Sequence, residues 1–96
     1  MKEVRTKSDI AHMIKKDTGF SLVEINAIID SLLNNIEKSV ASGYRVHFRG
    51  FGAFETRERA PRIGRSLSGN KVDIPAKIIP WFMPGDRLKR TVAKEN

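Results

Sequence analysis

Four arginines, Arg57, Arg59, Arg62 and Arg65, stand along a stretch that carries almost nothing apolar, and Lys71 and Lys77 follow on the far side of a Ser-Gly-Asn turn. Only Glu55, Glu58 and Asp73 oppose these six cations between residues 55 and 77. Side chains alternate along a strand, so Arg57 and Arg59 share one side of it. Charge runs are usually plain solvated faces. The one-sided excess here favours binding instead, because arginines so placed neutralise phosphates. A segment of this composition cannot bury itself, and it reads as an arm that lies along a polyanion.

Other chemistries find little support. His12 and His47 are the only histidines, the chain has no cysteine, and neither histidine has a second ligand at metal spacing. Both read as surface or partly buried structural residues. Gly64 and Gly69 imitate the glycine spacing of a phosphate-binding loop, but Asn70 stands where the lysine must be, and no Ser or Thr follows Lys71. Gly50-x-Gly52 lacks the third glycine of a dinucleotide loop. No nucleophile, base and orienting group come together. The sequence therefore predicts no enzyme, no metal, no cofactor and no small-molecule substrate.

The bulk numbers agree. Ninety-six residues with a formal charge of +7 make one small domain whose charge speaks about its partners. Residues 1–48 hold seven Lys/Arg against six Asp/Glu, and residues 49–96 hold eleven against five, so the binding surface is expected in the second half. Nucleic acid is the commonest partner of such a protein, and an acidic membrane surface is the runner-up. The absence of cysteine excludes a disulfide framework and a zinc finger. Met1 to Lys7 is polar and leads into no signal-peptide core, and no run approaches transmembrane length. The chain reads as soluble and intracellular.

The elements that must carry the arm can be read in order. Thr6-Lys7-Ser8-Asp9 is a helix-capping start, with Ile10, Met13 and Ile14 on one helix face and Gly19 as the stop. Ser21-Leu22-Val23-Glu24 is a second capping box. Behind it Ile25, Ile28, Ile29, Leu32, Leu33, Ile36 and Val40 form a wide apolar stripe that ends at Gly43. Tyr44 to Phe48 and Ala53 to Arg59 suit a hairpin, with Gly50 and Gly52 at the reversal. A long basic loop follows. Val72 to Phe82 returns as a third strand, with Pro75 and Pro80 tolerated only at an edge or a bulge. Met83-Pro84-Gly85-Asp86 opens a short final helix with Leu88 and Val92 on one face. This is an α+β chain: two N-terminal helices, a three-stranded antiparallel sheet with an extended β-ribbon arm at about residues 55–77, and a short C-terminal helix.

The second helix carries more apolar surface than one short helix and three strands can cover. The excess around Ile28, Leu32 and Ile36 predicts a dimer, with a second copy supplying the cover. Phe48, Phe51, Phe54 and Phe82 read as core rather than as base-stacking platforms. Trp81 and Phe82 are adjacent on a strand and point to opposite faces. Phe82 belongs to the core, which leaves Trp81 at an interface or on the outer face.

Three segments in this order carry a resemblance: Gly50-Phe51-Gly52-x-Phe54, then Arg57-x-Arg59-x-x-Arg62-x-Gly64-Arg65, and the return Ile74-Pro75-Ala76. From Thr6 to about Val92 the chain resembles the bacterial HU and integration host factor family of histone-like DNA-bending proteins. The resemblance implies an intertwined homodimer or heterodimer whose two β-arms wrap the minor groove of double-stranded DNA. By position it assigns Arg57, Arg59, Arg62 and Arg65 to the phosphates and the groove. It assigns Lys7 and Lys89 to the backbone farther along a bent duplex, and Phe51, Phe54 and Phe82 to an aromatic core. The chain also departs from the family pattern. After Arg65 it reads Ser66-Leu67-Ser68-Gly69, one residue shorter than usual and without the proline that wedges between base pairs. Leu67 is the apolar residue left at the tip. Asp86 stands where a lysine is common.

The function expected is that of a nucleoid-type architectural protein, cytoplasmic and nucleoid-associated, that binds and bends duplex DNA mostly without sequence specificity. A site-specific factor like integration host factor and an RNA binder on the same scaffold are the alternatives. A membrane binder fits poorly, because Glu24, Asp30 and Glu37 lie opposite the apolar stripe of the second helix.

Overall fold

A computed structural model describes residues 3–95 of the chain. They run in the order α1 (Lys7–Thr18), α2 (Leu22–Ala41), β1 (Val46–Phe48), β2 (Gly52–Arg59), β3 (Arg62–Arg65), β4 (Lys71–Ile74), β5 (Lys77–Pro84) and α3 (Asp86–Glu95). The chain divides into two compact units that meet inside α2, between Glu37 and Lys38.

In the first unit, local chemistry fixes the helix ends. The Thr6 hydroxyl accepts from the Asp9 N–H at 3.3 Å, and the Asp9 carboxylate accepts from the Thr6 N–H at 2.7 Å. Two donors that the helix would leave orphaned are satisfied reciprocally. Gly19, at φ 80°, closes α1 by donating to the Lys15 carbonyl. At the start of α2 only half of the predicted box forms. Glu24 N–H donates to the Ser21 hydroxyl, but the Glu24 carboxylate takes the Ser21 hydroxyl rather than its backbone N–H. Ala11 and Ile25 are buried, whereas Ile28 is 59 % and Leu32 46 % exposed, and Ile36 is half-buried. Ile10 and Met13, read as an apolar face, are also exposed.

The second unit opens on the end of α2. Gly43 N–H donates to the Val40 carbonyl and Tyr44 N–H to that of Ser39, which is the paired closure a left-handed glycine allows. The sheet has the order β1-β2-β5, antiparallel throughout. Gly52 is obligatory at its corner. Its φ is 155°, and a Cβ there would stand 2.5 Å from the Met83 carbonyl oxygen and 2.7 Å from the Phe82 ring. Alternation sends Phe54 and Phe82 to one face, where their rings pack at 4.8 Å, with Phe48 edge-on to Phe54 at 6.4 Å and Phe51 against Phe82 at 5.7 Å. These rings cluster as expected, but they are only half-buried, and Phe51 is exposed. Ala53 is the buried apolar residue of this unit among those described.

The return strand differs from expectation. Val72 to Phe82 is not one strand: β4 ends at Ile74, and β5 begins at Lys77 and runs on through Pro84. The expected basic loop is instead ordered, since β3 pairs with β4 as a two-stranded ribbon. Both ladders keep one register, with Arg59 facing Lys77 before the break and Arg62 facing Ile74 after it. Ala60 and Pro61 therefore stand level with Pro75 and Ala76. Two prolines at one level remove the backbone donors of both strands, so the ladder lapses there and resumes without slipping. Pro80 lies in β5, an edge strand, where the missing donor is tolerated. Met83 and Pro84 belong to β5 rather than to the final helix, which starts at Asp86.

Candidate nucleic-acid interface

On β2 and β5 the face opposite the phenylalanines carries Arg57, Arg59 and Lys77, with Glu55, Trp81 and Met83 among them. Arg45 pairs with Glu55 at 3.3 Å, so the one carboxylate on this face is already engaged. Arg57 lies over the Trp81 ring, its guanidinium carbon 4.6 Å from the centroid. Trp81 thus lies on the face opposite Phe82, one of the two positions left open by the sequence. Arg59 and Lys77 are direct cross-strand partners, and both are exposed.

On the ribbon, alternation separates the remaining cations. Arg62 and Gly64 share a face with Val72 and Ile74, and the Ile74 side chain folds over Gly64. Ile63, Arg65, Lys71 and Asp73 share the other. Arg65 and Lys71 are again direct partners of like charge. Among the described residues no ion pair involves Arg57, Arg59, Arg62, Arg65, Lys71 or Lys77.

The tip is a tight reversal. Ser66 N–H donates to the Asn70 carbonyl at 2.8 Å, and Gly69 N–H to the Ser66 carbonyl at 2.9 Å. Gly69 sits at φ 87°, the left-handed residue that ends a three-residue hairpin loop. Arg65 reaches across to the Gly69 carbonyl at 3.1 Å. Leu67 is left at the apex, 110 % exposed relative to an extended reference.

The two body lysines differ. Lys89 is exposed on α3. Lys7 forms an ion pair with Asp30, so any phosphate contact it makes competes with that carboxylate. Sequence reading missed the Arg45–Glu55 pair and the Arg57–Trp81 stack. Both depend on strand register, and neither partner signals the other locally. Among the described residues no cluster of three or more His, Cys, Asp or Glu could hold a metal, and no helix is long and apolar enough to cross a membrane.

The antiparallel ribbon thus carries arginines and lysines that make no ion pair among the described residues, with an exposed leucine at its apex. The chain belongs to the family described as bacterial DNA-binding protein, whose model matches residues 5–93. It is 37 % identical over 94 residues to DNA-binding protein HU of Thermus thermophilus, covering 97 % of each chain. It is equally 37 % identical, over 89 residues and 91 % of each chain, to integration host factor subunit beta of Marinobacter nauticus. Its fold is similar to that of an Anabaena HU–DNA cocrystal structure, with a TM-score of 0.88 and 31 % identity over 93 % of this chain and 98 % of that one.

Proposed function

We infer that the protein is a dimeric architectural factor that binds double-stranded DNA through the minor groove and bends it, largely without reading its sequence. The observation that carries this is the like-charge pairing along the ribbon. Arg59 faces Lys77 and Arg65 faces Lys71. Like charges directly opposite destabilise a sheet, so the ribbon is built at a cost that a row of phosphates removes. Arginine favours the narrow minor groove, where the potential is most negative, and the donor pattern there distinguishes bases poorly. HU and integration host factor are themselves known examples of minor-groove binders that bend DNA by wedging apolar side chains into base steps.

In this reading the whole chain, residues 1–96, is one DNA-binding domain with its arm at about 55–77. Arg57, Arg59, Arg62, Arg65, Lys71 and Lys77 meet phosphates and the groove. Leu67 is the wedge at the tip, and Lys7 and Lys89 meet the backbone of the bent flanks. Ile28, Leu32 and Ile36 meet a second copy, which covers apolar surface that one chain leaves exposed. The role is structural rather than enzymatic, and its place is the nucleoid in the cytoplasm. Identity alone does not choose between the two relatives. The likeness to an HU structure bound to DNA favours the sequence-tolerant reading over the site-specific one.

Competition among intact duplex DNA, nicked DNA and duplex RNA of one sequence tests this. The expected order is nicked DNA first, intact DNA second and RNA last, because a nick removes part of the cost of bending. A preference for RNA would contradict it.

A further inference from the structure

Trp81 is the only tryptophan in the chain, and it lies on the arginine face of the sheet, 42 % exposed. The Arg57 guanidinium is 4.6 Å from its ring centroid, and Arg57 Nη2 also reaches the Met83 sulfur at 3.7 Å. A π-face and a thioether hold this cation where a carboxylate would be the usual partner. The nearest carboxylate on that face, Glu55, is engaged by Arg45. The difference matters chemically. A carboxylate would neutralise the guanidinium and consume a pair of its donors. An aromatic ring fixes the plane of the group electrostatically and leaves the charge and most of its N–H donors free. No hydrogen bond of the Trp81 indole N–H is found among the described residues, so that donor is free as well.

We propose that Trp81 is a positioning residue of the DNA-binding surface: its ring holds Arg57 in place and charged for a phosphate, and its exposed edge lies against the bound duplex. The inference rests on the DNA-binding reading above and adds to it a residue that carries no charge. Arginine is otherwise costly to order, because its long side chain loses rotamer freedom on binding. Stacking on Trp81 orders it before DNA arrives.

The test combines a double-mutant cycle with intrinsic fluorescence, on the full-length protein and two unrelated duplexes. Trp81→Leu keeps apolar cover and removes the π-face, whereas Trp81→Phe keeps a π-face. Melting curves for each variant separate binding from folding. Trp81→Leu is expected to weaken binding about two- to fivefold, the range of an exposed cation–π contact. Trp81→Phe is expected to retain most of the affinity. In an Arg57→Ala background, Trp81→Leu is expected to weaken binding clearly less than in the wild-type background, since no guanidinium remains to position. Wild-type tryptophan emission is expected to change on saturation with duplex. Equal weakening by Trp81→Leu with and without Arg57, wild-type affinity of Trp81→Leu, or unmoved emission at saturation would each overturn the proposal. If wild type binds and Arg57→Ala weakens it while Trp81→Leu is silent, only the role of Trp81 falls. If wild type binds no duplex, the DNA-binding reading falls and this inference with it.

Discussion

Arg59 and Lys77 stand directly opposite each other on neighbouring strands, and among the described residues neither is in an ion pair. Such a pair lowers the stability of the free ribbon and raises its affinity for an anion. Stability and the proposed phosphate contact are therefore set against each other at one position.

Lys77→Glu exposes that opposition. It turns a repulsive cross-strand pair into an attractive one, worth about 0.2–1 kcal/mol. For a domain of this size about 1 kcal/mol moves the melting temperature by roughly 4–8 °C, so the variant should melt slightly higher. Its affinity for duplex DNA should fall, and its salt slope should flatten by about one to two units, because the new carboxylate also engages Arg59. Lower melting with unchanged affinity would show that the pair has no such role.

Ile28 and Val23 test the dimer. Both are exposed in a single chain, Ile28 at 59 % and Val23 at 82 %. If the chain stood alone, a charge at either position would shift stability by no more than about 0.5 kcal/mol. Against a second copy the two differ. Ile28→Asp should abolish association or unfold the protein, because it places an unpaired charge in an apolar interface. Val23→Asp serves as the comparison and should be tolerated. Sedimentation of wild type as a stable folded monomer at micromolar concentration would contradict the dimer.

Asp9 gives a pH-dependent signature. The Thr6 backbone N–H and then the Thr6 hydroxyl hold its carboxyl below the ordinary value of 3.8. A carboxyl lowered in the folded state contributes stability that is fully present above 3.8 and is lost as the pH falls through the folded value. Carbon NMR of the Asp9 carboxyl should therefore show a midpoint below 3.8. Thr6→Ala should move it only part of the way back, because the larger cause, the backbone N–H, remains. A wild-type midpoint at or above the ordinary value would show that the capping box does not hold in solution.

Leu67→Ala addresses bending. Unstacking a base step costs a few kcal/mol, so a wedge matters only where DNA starts straight. The variant should bend intact linear duplex less and bind nicked duplex nearly as wild type does. Energy transfer between dyes at the ends of a short duplex reads this. Equal bending by both proteins would show that Leu67 is an ordinary exposed leucine.

What could be read in the sequence was mostly local. Thr6 with Asp9, and Gly43 after Val40, announce helix ends because their partners lie within a few residues. The arginine series was legible because its spacing and excess of charge stand in the sequence itself. Pro61 and Pro75 were each visible, yet their standing at one level depends on where the ribbon turns, which is set by Ser66 to Asn70. The same register brings Arg57 to Trp81, twenty-four positions away in the chain. Phe51, Phe54 and Phe82 cluster in the structure, but their incomplete burial was not legible, because it depends on where the sheet register places them.

If the ribbon cations neutralise DNA phosphates irrespective of sequence, duplexes of unrelated sequence must depend on them alike. The most direct measurement is affinity against salt concentration, on two duplexes of unrelated sequence, for wild type and for Arg57→Ala, Arg59→Ala, Arg62→Ala and Arg65→Ala in turn. Each change should weaken binding to both duplexes by similar factors and flatten the slope by about one unit. Loss of affinity on one sequence only, or a slope that does not move, would contradict it.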